Sequence, residues 1–495
     1  MTYEQARKFI EQTTKFGSIL GLTSMKALME ALGNVQNTIP IIHIAGTNGK
    51  GSVGAYLASI FKEAGLKVGR YCSPAVFHPL ECWQYDGRTM TKDEYAKIMS
   101  QVKEACDIVV SKGIQPTVFE VETAVAFVWF SQMPTDVLLL ETGLGGATDA
   151  TNVVANPLAC VFTTISRDHM QFLGETLSEI ATVKAGIIKK GAKVFSAIQK
   201  PEVEEVLREY YTLRQKSVAD VQQEDKKWKN IIFVQEENLH LISQKVGELT
   251  FSYKNKTYTT QLSGVYQIKN ATLAIEVAEE LLKVFLKYRT DNSQFQMCKE
   301  LIGKCSLDRK TNECKQGFIL EQDKFTLKQE FFLQNKNTQK SIIETILYNG
   351  IKNTIWNGRF EIIQREPLFI IDGAHNEDAA CMLSQTLENC FTNDSLIYII
   401  GVLADKEHKQ MLEIMSKHSK KVYTITPPNA RGLNASLLAE EAKLFYEEVT
   451  VCETITQTVT EAVAYAKVQK KAILAFGSLS YLSELKKIVK KEKIW

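Results

Sequence analysis

The sequence predicts an α/β fold in two parts: a P-loop domain with a mostly parallel sheet, then a smaller, doubly wound, Rossmann-like C-terminal domain. Three observations predict it. Short apolar runs alternate with helical patterns in two separate series, as parallel strands covered by helices do. A glycine-rich turn joins the first run to the first helical pattern, where such folds hold phosphate. The chain has 495 residues against about 150 for an ordinary domain, so a single core does not account for it.

The first series places strands at Ile41–Ala45, Lys67–Tyr71, Asp136–Leu140, Ala159–Thr163 and Lys193–Ser196, each bounded by glycine, proline or polar turns. Helical patterns fall between them, near 52–65, 92–112, 120–131, 177–189 and 201–215. The second series has strands at Leu368–Ile371, Leu396–Ile400, Val422–Ile425 and Ala472–Phe476, a separate unit of at least four strands. The domains are then 1–355 and 367–495, joined by an interdomain linker at 356–366. Residues 286–340 are rich in Lys, Gln and Asn, lose periodicity and read as an insertion in the first domain. The run Glu224–Lys229 mixes charge signs, as a solvated loop does.

Apolar residues make up 45% of the chain and charged residues 23%, proportions that exclude disordered and fibrous classes. Fifty-nine basic residues against fifty-seven acidic ones leave a formal charge of +2, so no broad field exists to hold nucleic acid or an acidic membrane. The charged start lacks the apolar core of a signal peptide, and no apolar run nears the ~20 residues that span a bilayer. A cytoplasmic location without membrane contact is expected. The ten cysteines are dispersed without C-x-x-C pairs, which points to neither a zinc site nor a disulfide framework.

The strongest local signal is Gly46-Thr47-Asn48-Gly49-Lys50-Gly51-Ser52, which leaves the first strand and opens into a helical pattern at Val53. Backbone N–H groups of such a turn face phosphate oxygens, the helix N-terminus adds partial positive charge, and the lysine reaches the terminal phosphates. It departs from the strict G-x-x-x-x-G-K-[ST] pattern, because Ile44 holds the first glycine position and Gly51 separates Lys50 from Ser52. Glu141 ends a strand close to this turn, where a carboxylate could hold a hard cation such as Mg²⁺.

With this heptapeptide the chain resembles the Mur ligase family, and within it the folylpolyglutamate synthase and dihydrofolate synthase branch. Further motifs carry the resemblance in order. Glu141-Thr142-Gly143-Leu144-Gly145-Gly146-Ala147-Thr148-Asp149-Ala150-Thr151-Asn152 is similar to E-x-G-L-G-G-x-x-D-A-T-N. Thr117–Ala124 resembles T-x-F-E-x-x-T-A, and Gly264–Ala271 resembles G-x-H-Q-x-x-N-A with Tyr266 in the histidine position. Trp356–Glu361 resembles W-P-G-R-x-E, and Asp372-Gly373-Ala374-His375-Asn376 matches D-G-A-H-N.

The resemblance implies Mg²⁺ contacts from Ser73, Glu141 and His169, and a carbamylated lysine at Lys184 that helps hold a second metal. It places Gln267 and Asn270, three apart on one helix face, near the nucleotide base. It sets Arg359 on the ATP phosphates across a domain cleft, with Asp372 and His375 at the nucleotide or amino-acid side. Phe119, Glu120, Asp149, Thr151 and Ser478 are implied at the substrates. The implied activity joins L-glutamate to a folate, or to dihydropteroate, in a monomer that uses ATP and Mg²⁺ and passes through an acyl phosphate. On the sequence alone, another Mur-type ligase, a non-catalytic ATP-binding module and a P-loop switch stay open.

Overall fold

The computed structural model describes residues 1–13, 21–216, 231–289 and 336–491. Strand β1 (Ile41–Ala45) is buried along its whole length, as an apolar strand covered on both faces must be. Beside it lie β2 (Val68–Tyr71), β3 (Trp83–Tyr85), β4 (Arg88–Thr89), β5 (Val137–Glu141), β6 (Ala159–Phe162), β7 (Lys193–Ser196) and β8 (Ile232–Phe233). They form one sheet in the order β4-β3-β2-β5-β1-β6-β7-β8. From β2 to β8 the pairings are parallel, and the β2–β3–β4 edge is antiparallel.

Parallel pairing forces long crossovers, and helices fill them. On one face pack α1 (Tyr3–Thr13) and α2 (Thr23–Ala31); α3 (Lys50–Glu63) runs out of the phosphate turn on the other. The first of these faces is completed by α4 (Lys92–Ser111) and α5 (Val118–Gln132), whose starts are fixed by the capping boxes Thr91/Glu94 and Thr117/Glu120. Short α6 (Met170–Leu173) leads into α7 (Leu177–Ala185), which packs with α8 (Pro201–Lys216) against β6 and β7. An antiparallel sheet of β9 (Leu239–Lys245), β10 (Glu248–Tyr253) and β11 (Lys256–Thr260) joins α9 (Gln267–Arg289) and α10 (Lys336–Lys352) over α3.

The C-terminal sheet holds β12 (Glu361–Arg365), β13 (Leu368–Ile371), β14 (Leu396–Ile400), β15 (Lys421–Thr424), β16 (Glu448–Val451) and β17 (Ala472–Phe476), in the order β12-β13-β17-β14-β15-β16. One face is covered by α11 (Glu377–Cys390), α12 (His408–Ser416) and α13 (Ala435–Ala442), the other by α14 (Ile455–Gln469) and α15 (Leu482–Lys491). Helices on both faces of a parallel sheet are the doubly wound arrangement expected from the second series.

Three expectations change. The stretch 356–366 is only partly a linker, because β12 pairs antiparallel with β13 and belongs to the second sheet. The ends of the expected insertion at 286–340 are helical, being the last turn of α9 and the first of α10, while residues 290–335 lie outside the described residues. The helix expected over 177–189 stops at Ala185. The charged run 224–229 also lies outside the described residues. Helices α1 and α2 and the three-stranded sheet go beyond the elements read from the sequence.

Candidate active site between the two domains

The phosphate turn leaves β1 where the strand's carboxyl end opens, the usual ligand edge of such sheets. Thr47 and Asn48 donate their backbone N–H groups to Thr164 O, at 2.8 and 3.3 Å. Gly49 has φ +92°, and a Cβ there would lie 2.3 Å from Asn270 Oδ1, so only glycine lets the loop meet α9. Lys50 Nζ donates to Gly46 O and Thr47 O, at 3.1 and 3.3 Å. Arg70, a buried arginine on β2, donates to Gly51 O and stacks over Trp356, 3.9 Å from the ring centroid.

A cavity of about 250 Å³ lies over this turn and is walled by both domains. The first domain supplies Gly46 through Ser52, Ser73, Glu141, His169, Lys184 and Asn270; the second supplies Arg359, Asp372 and His375. Thus the sequence residues named for phosphate, metal and phosphoryl transfer converge on one space. Gln267 is the exception. It is fully enclosed behind the wall, where its Nε2 donates to Ser52 Oγ at 3.2 Å and its Oε1 accepts from Asn270 Nδ2 at 3.0 Å. From there it braces the phosphate turn against α9.

Burial pushes the Glu141 pKa up, against Lys50, Arg70 and Arg359, which favour the carboxylate. Burial lowers His169 to about 4, with Lys406, His375 and Lys50 adding to it and Asp168 opposing, so its imidazole is neutral at about pH 7. Lys184 is buried on α7, donates to Gly46 O at 2.9 Å, and has its pKa lowered to about 7 by burial and by Lys50. Such a lysine spends a large share of its time as a neutral amine.

The donor set suits Mg²⁺. One buried carboxylate, one hydroxyl and one neutral imidazole face a phosphate cradle, and Mg²⁺ takes few protein ligands beside substrate phosphates. Among the described residues no group of three or more His, Cys, Asp or Glu could hold a metal by itself.

On the second domain's side, Asp372 at the end of β13 accepts from Phe360 N and Ala374 N, each at 2.8 Å, and from Tyr266 Oη at 2.6 Å. The tyrosine in the expected histidine position therefore links α9's approach to the second domain. His375 Nδ1 donates to Gly373 O at 2.8 Å, which leaves Nε2 as the acceptor, and burial lowers its pKa. Lys406 Nζ lies 2.5 Å from Asp168 Oδ1, and Asn376 Nδ2 donates to Asp168 Oδ2 at 3.2 Å. Asn48 Nδ2 reaches Asp378 Oδ2 at 2.9 Å.

Asp168, Asp378 and Arg70 were not among the residues expected at the site. Asp168 directly precedes His169, a residue named for Mg²⁺, which is the signal that could have found it. Arg70 has no such signal, since an arginine inside a strand reveals nothing of what lies above it.

A second cavity of about 1100 Å³ shares Ser73, Pro74, Gly143 and Leu144 with the first. Phe119, Glu120 and Asp149 line it, together with Arg7, Glu122, Arg431 and Lys487. Thr151 and Ser478 line neither cavity. Thr151 is fully buried, bonding Asp149 and, at 2.8 Å, His43 Nε2. Ser478 caps the turn Leu479–Tyr481 by accepting from Ser480 N at 3.3 Å, although its neighbour Leu479 does reach the first cavity.

Residues 44–278 match the Mur ligase middle domain, and residues 358–479 match the Mur ligase glutamate ligase domain. The chain is 30% identical to the dihydrofolate synthase/folylpolyglutamate synthase of Bacillus subtilis, over 99% of each chain. It is 27% identical to the folylpolyglutamate synthase of Lacticaseibacillus casei, over 86% of each. In fold it is similar to the Mycobacterium tuberculosis folylpolyglutamate synthase complexed with ADP and AMPPCP, with TM-score 0.74 at 23% identity over 98% of each chain. An E. coli FolC structure in complex with DHPP and ADP gives TM-score 0.74 at 22% identity, over 100% of this chain and 99% of that one.

A P-loop domain and a doubly wound domain that close one cavity between them define an ATP-dependent acid–amino-acid ligase of the Mur type, which forms a carbon–nitrogen bond. Its whole length aligns with one branch of that class. The chain belongs to the folylpolyglutamate synthase and dihydrofolate synthase family.

Proposed function

We propose that this ligase joins L-glutamate to the terminal carboxylate of a folate, and also to dihydropteroate, in two steps driven by ATP. The observation that carries this reading is the pair of cavities that meet at Ser73, Pro74, Gly143 and Leu144, one lined by the phosphate turn and the other by Phe119 and Asp149. A carboxylate held at the junction faces both an aromatic-lined space and the phosphate site.

In the first step a carboxylate oxygen bonds to the γ-phosphorus of ATP and the bond to ADP breaks, which gives an acyl phosphate. Little covalent chemistry is asked of the protein here beyond alignment and charge neutralisation. Lys50 and Arg359 hold phosphate oxygens from opposite domains. Ser73, Glu141 and His169 would hold Mg²⁺, which neutralises charge on the phosphates when bound. Lys184 as a carbamate, formed by its neutral amine and carbon dioxide, would add an oxygen ligand beside the turn. In the second step the glutamate nitrogen bonds to the acyl carbon and phosphate leaves. Nε2 of neutral His375, left as an acceptor, takes the proton that the ammonium must lose, with Asp372 setting the nearby backbone. The walls from both domains keep water from the acyl phosphate.

The protein acts in this reading as a cytoplasmic monomer, with 1–355 as the nucleotide domain and 367–495 as the glutamate-ligase domain. Support for the location is compositional: seven cysteines among the described residues are free, and among those residues no helix is long and apolar enough to cross a membrane. The test is ADP release with Mg-ATP and L-glutamate, comparing dihydropteroate, tetrahydrofolate and no acceptor, with Lys50→Ala as control. Release that needs both glutamate and a pterin acceptor, and is lost in the variant, is expected. Release without an acceptor would sink the reading.

A further inference from the structure

Three carboxyl side chains line the second cavity, and two of them are occupied by their own backbone. Glu120 is buried and closes the capping box of α5: its Oε2 accepts from Thr117 N at 2.7 Å and from Thr117 Oγ1 at 2.9 Å. Asp149 accepts from Leu144 N at 2.7 Å, from Thr151 N at 3.0 Å and from Thr151 Oγ1. Asp149 has little acceptor capacity left for a ligand, and Glu120 keeps only Oε1. Glu122 differs. Among the described residues its side chain has no hydrogen bond or ion pair, yet it sits two residues along α5 from Glu120 and opens on the same cavity.

Its surroundings are apolar and aromatic. Tyr71, Cys82 and Tyr95 lie close enough for a Glu122 charge to raise their own pKa values. Tyr71 stacks with Phe119 at 6.4 Å between centroids, and Phe119 lines the cavity. Burial pushes Glu122 up to about 7, and Arg7, across the cavity wall on α1, is the group that opposes this. A carboxyl left unpaired in such a place costs stability, which a ligand that donates two hydrogen bonds would offset.

The chemistry of the occupant follows from this pairing. In its ionised form this acceptor-only, bidentate group beside an aromatic wall fits a flat heterocycle with two adjacent N–H donors on one edge. It repels phosphates and the carboxylates of glutamate. Given the function proposed above, on which this step rests, the acceptor substrate carries such an edge: the ring N–H and the neighbouring 2-amino group of its pterin. We propose that Glu122 is the specificity-determining residue for the acceptor, its carboxylate receiving both of those hydrogen bonds.

The test is calorimetric binding of pteroate and of the analogue with hydrogen in place of the 2-amino group, to the wild-type protein and to Glu122→Gln. The wild type is expected to prefer pteroate by roughly 10-fold to 100-fold, the worth of one charge-assisted hydrogen bond. In Glu122→Gln the preference should fall to about 2-fold or less, with the affinity for ATP unchanged. Each preference is a ratio within one sample, so a reduced folded fraction cancels; Glu122→Ala is read in the same way if the glutamine variant does not fold. A preference that survives both substitutions overturns the role of Glu122 and leaves the ligase reading intact. A wild-type protein that binds neither compound overturns the folate reading itself, and this inference with it.

Discussion

Lys184 shows how strongly one environment can bend a residue's chemistry. Its ammonium is penalised by burial and by Lys50, so its folded pKa is about 7 against about 10.4 for a free lysine. The unfolded chain therefore binds the extra proton between those values, and stability rises with pH across that window. Lys184→Met should remove the penalty. In buffer stripped of carbon dioxide, the variant's urea midpoint should exceed that of the wild type by the equivalent of roughly 4 kcal/mol at pH 7, with the gap closing as pH rises toward 10. Ligase activity should fall by more than about 100-fold in the same variant, the scale of a lost group that acts on transferring charge. Tyr266 makes a second case. Tyr266→Phe deletes the donor 2.6 Å from Asp372 Oδ2, a hydrogen bond to a charged group that spans the two domains. The KM for ATP should rise roughly 10-fold with kcat less affected, whereas Tyr266→His should restore part of the loss. Steady-state kinetics on the three proteins decide it.

The phosphate turn and α9 depend on each other as elements. Gly49 combines a left-handed φ of +92° with Asn270 Oδ1 at 2.3 Å from any added Cβ, so a side chain there meets both backbone strain and a packed helix. Gly49→Ala should cost about 1–2 kcal/mol from the backbone alone, and displacing Asn270 should weaken ATP binding by at least roughly 10-fold. Thermal unfolding and nucleotide titration measure the two effects separately. At this scale the sequence was informative where hydrophobic period and turn chemistry agree: Ile41–Ala45 and Leu396–Ile400 are strands within their expected bounds. It was weaker at Glu361–Arg365, which mixes charges with isoleucines. An edge strand needs only one covered face, so its pattern resembles a linker.

Across the whole molecule, closure depends on polar contacts that join segments more than two hundred residues apart. Burial works to raise the Asp168 pKa, but Lys406, His169 and His375 outweigh it and hold the carboxyl well below the ordinary carboxylate range. A depressed carboxylate contributes its stability above the unfolded value of about 4 and loses it as pH falls below that. The domain contact should accordingly be intact at neutral pH and weaken on acidification. Lys406→Met leaves Asp168 without its cation in a largely buried position, and breaking such a pair costs about 3–5 kcal/mol. Scanning calorimetry should then resolve separate domain transitions at lower temperature than in the wild type. A single unshifted transition would show that the pair does not hold the domains together.

By itself the sequence determined the α/β class, the two strand series and the phosphate turn, because apolar period and glycine placement are local properties, whereas most of the residues that meet over that turn were implied by the family resemblance. Lys50 and Glu141 were legible from a glycine-rich turn and a strand end, and Lys184 and Arg359 came with the resemblance. Only the tertiary structure decided that Gln267 faces inward, that Thr151 and Ser478 are consumed by their neighbours, and that Asp168 and Arg70 belong to the site. The same is true of Glu120, Asp149 and Glu122. Their residue type promises three equivalent acceptors, yet Glu120 and Asp149 bond neighbouring residues while the Glu122 side chain has no hydrogen bond among the described residues. Where a polar atom is satisfied by a residue far along the chain, as Gln267 is by Ser52 and Thr151 by His43, no local pattern carries that information.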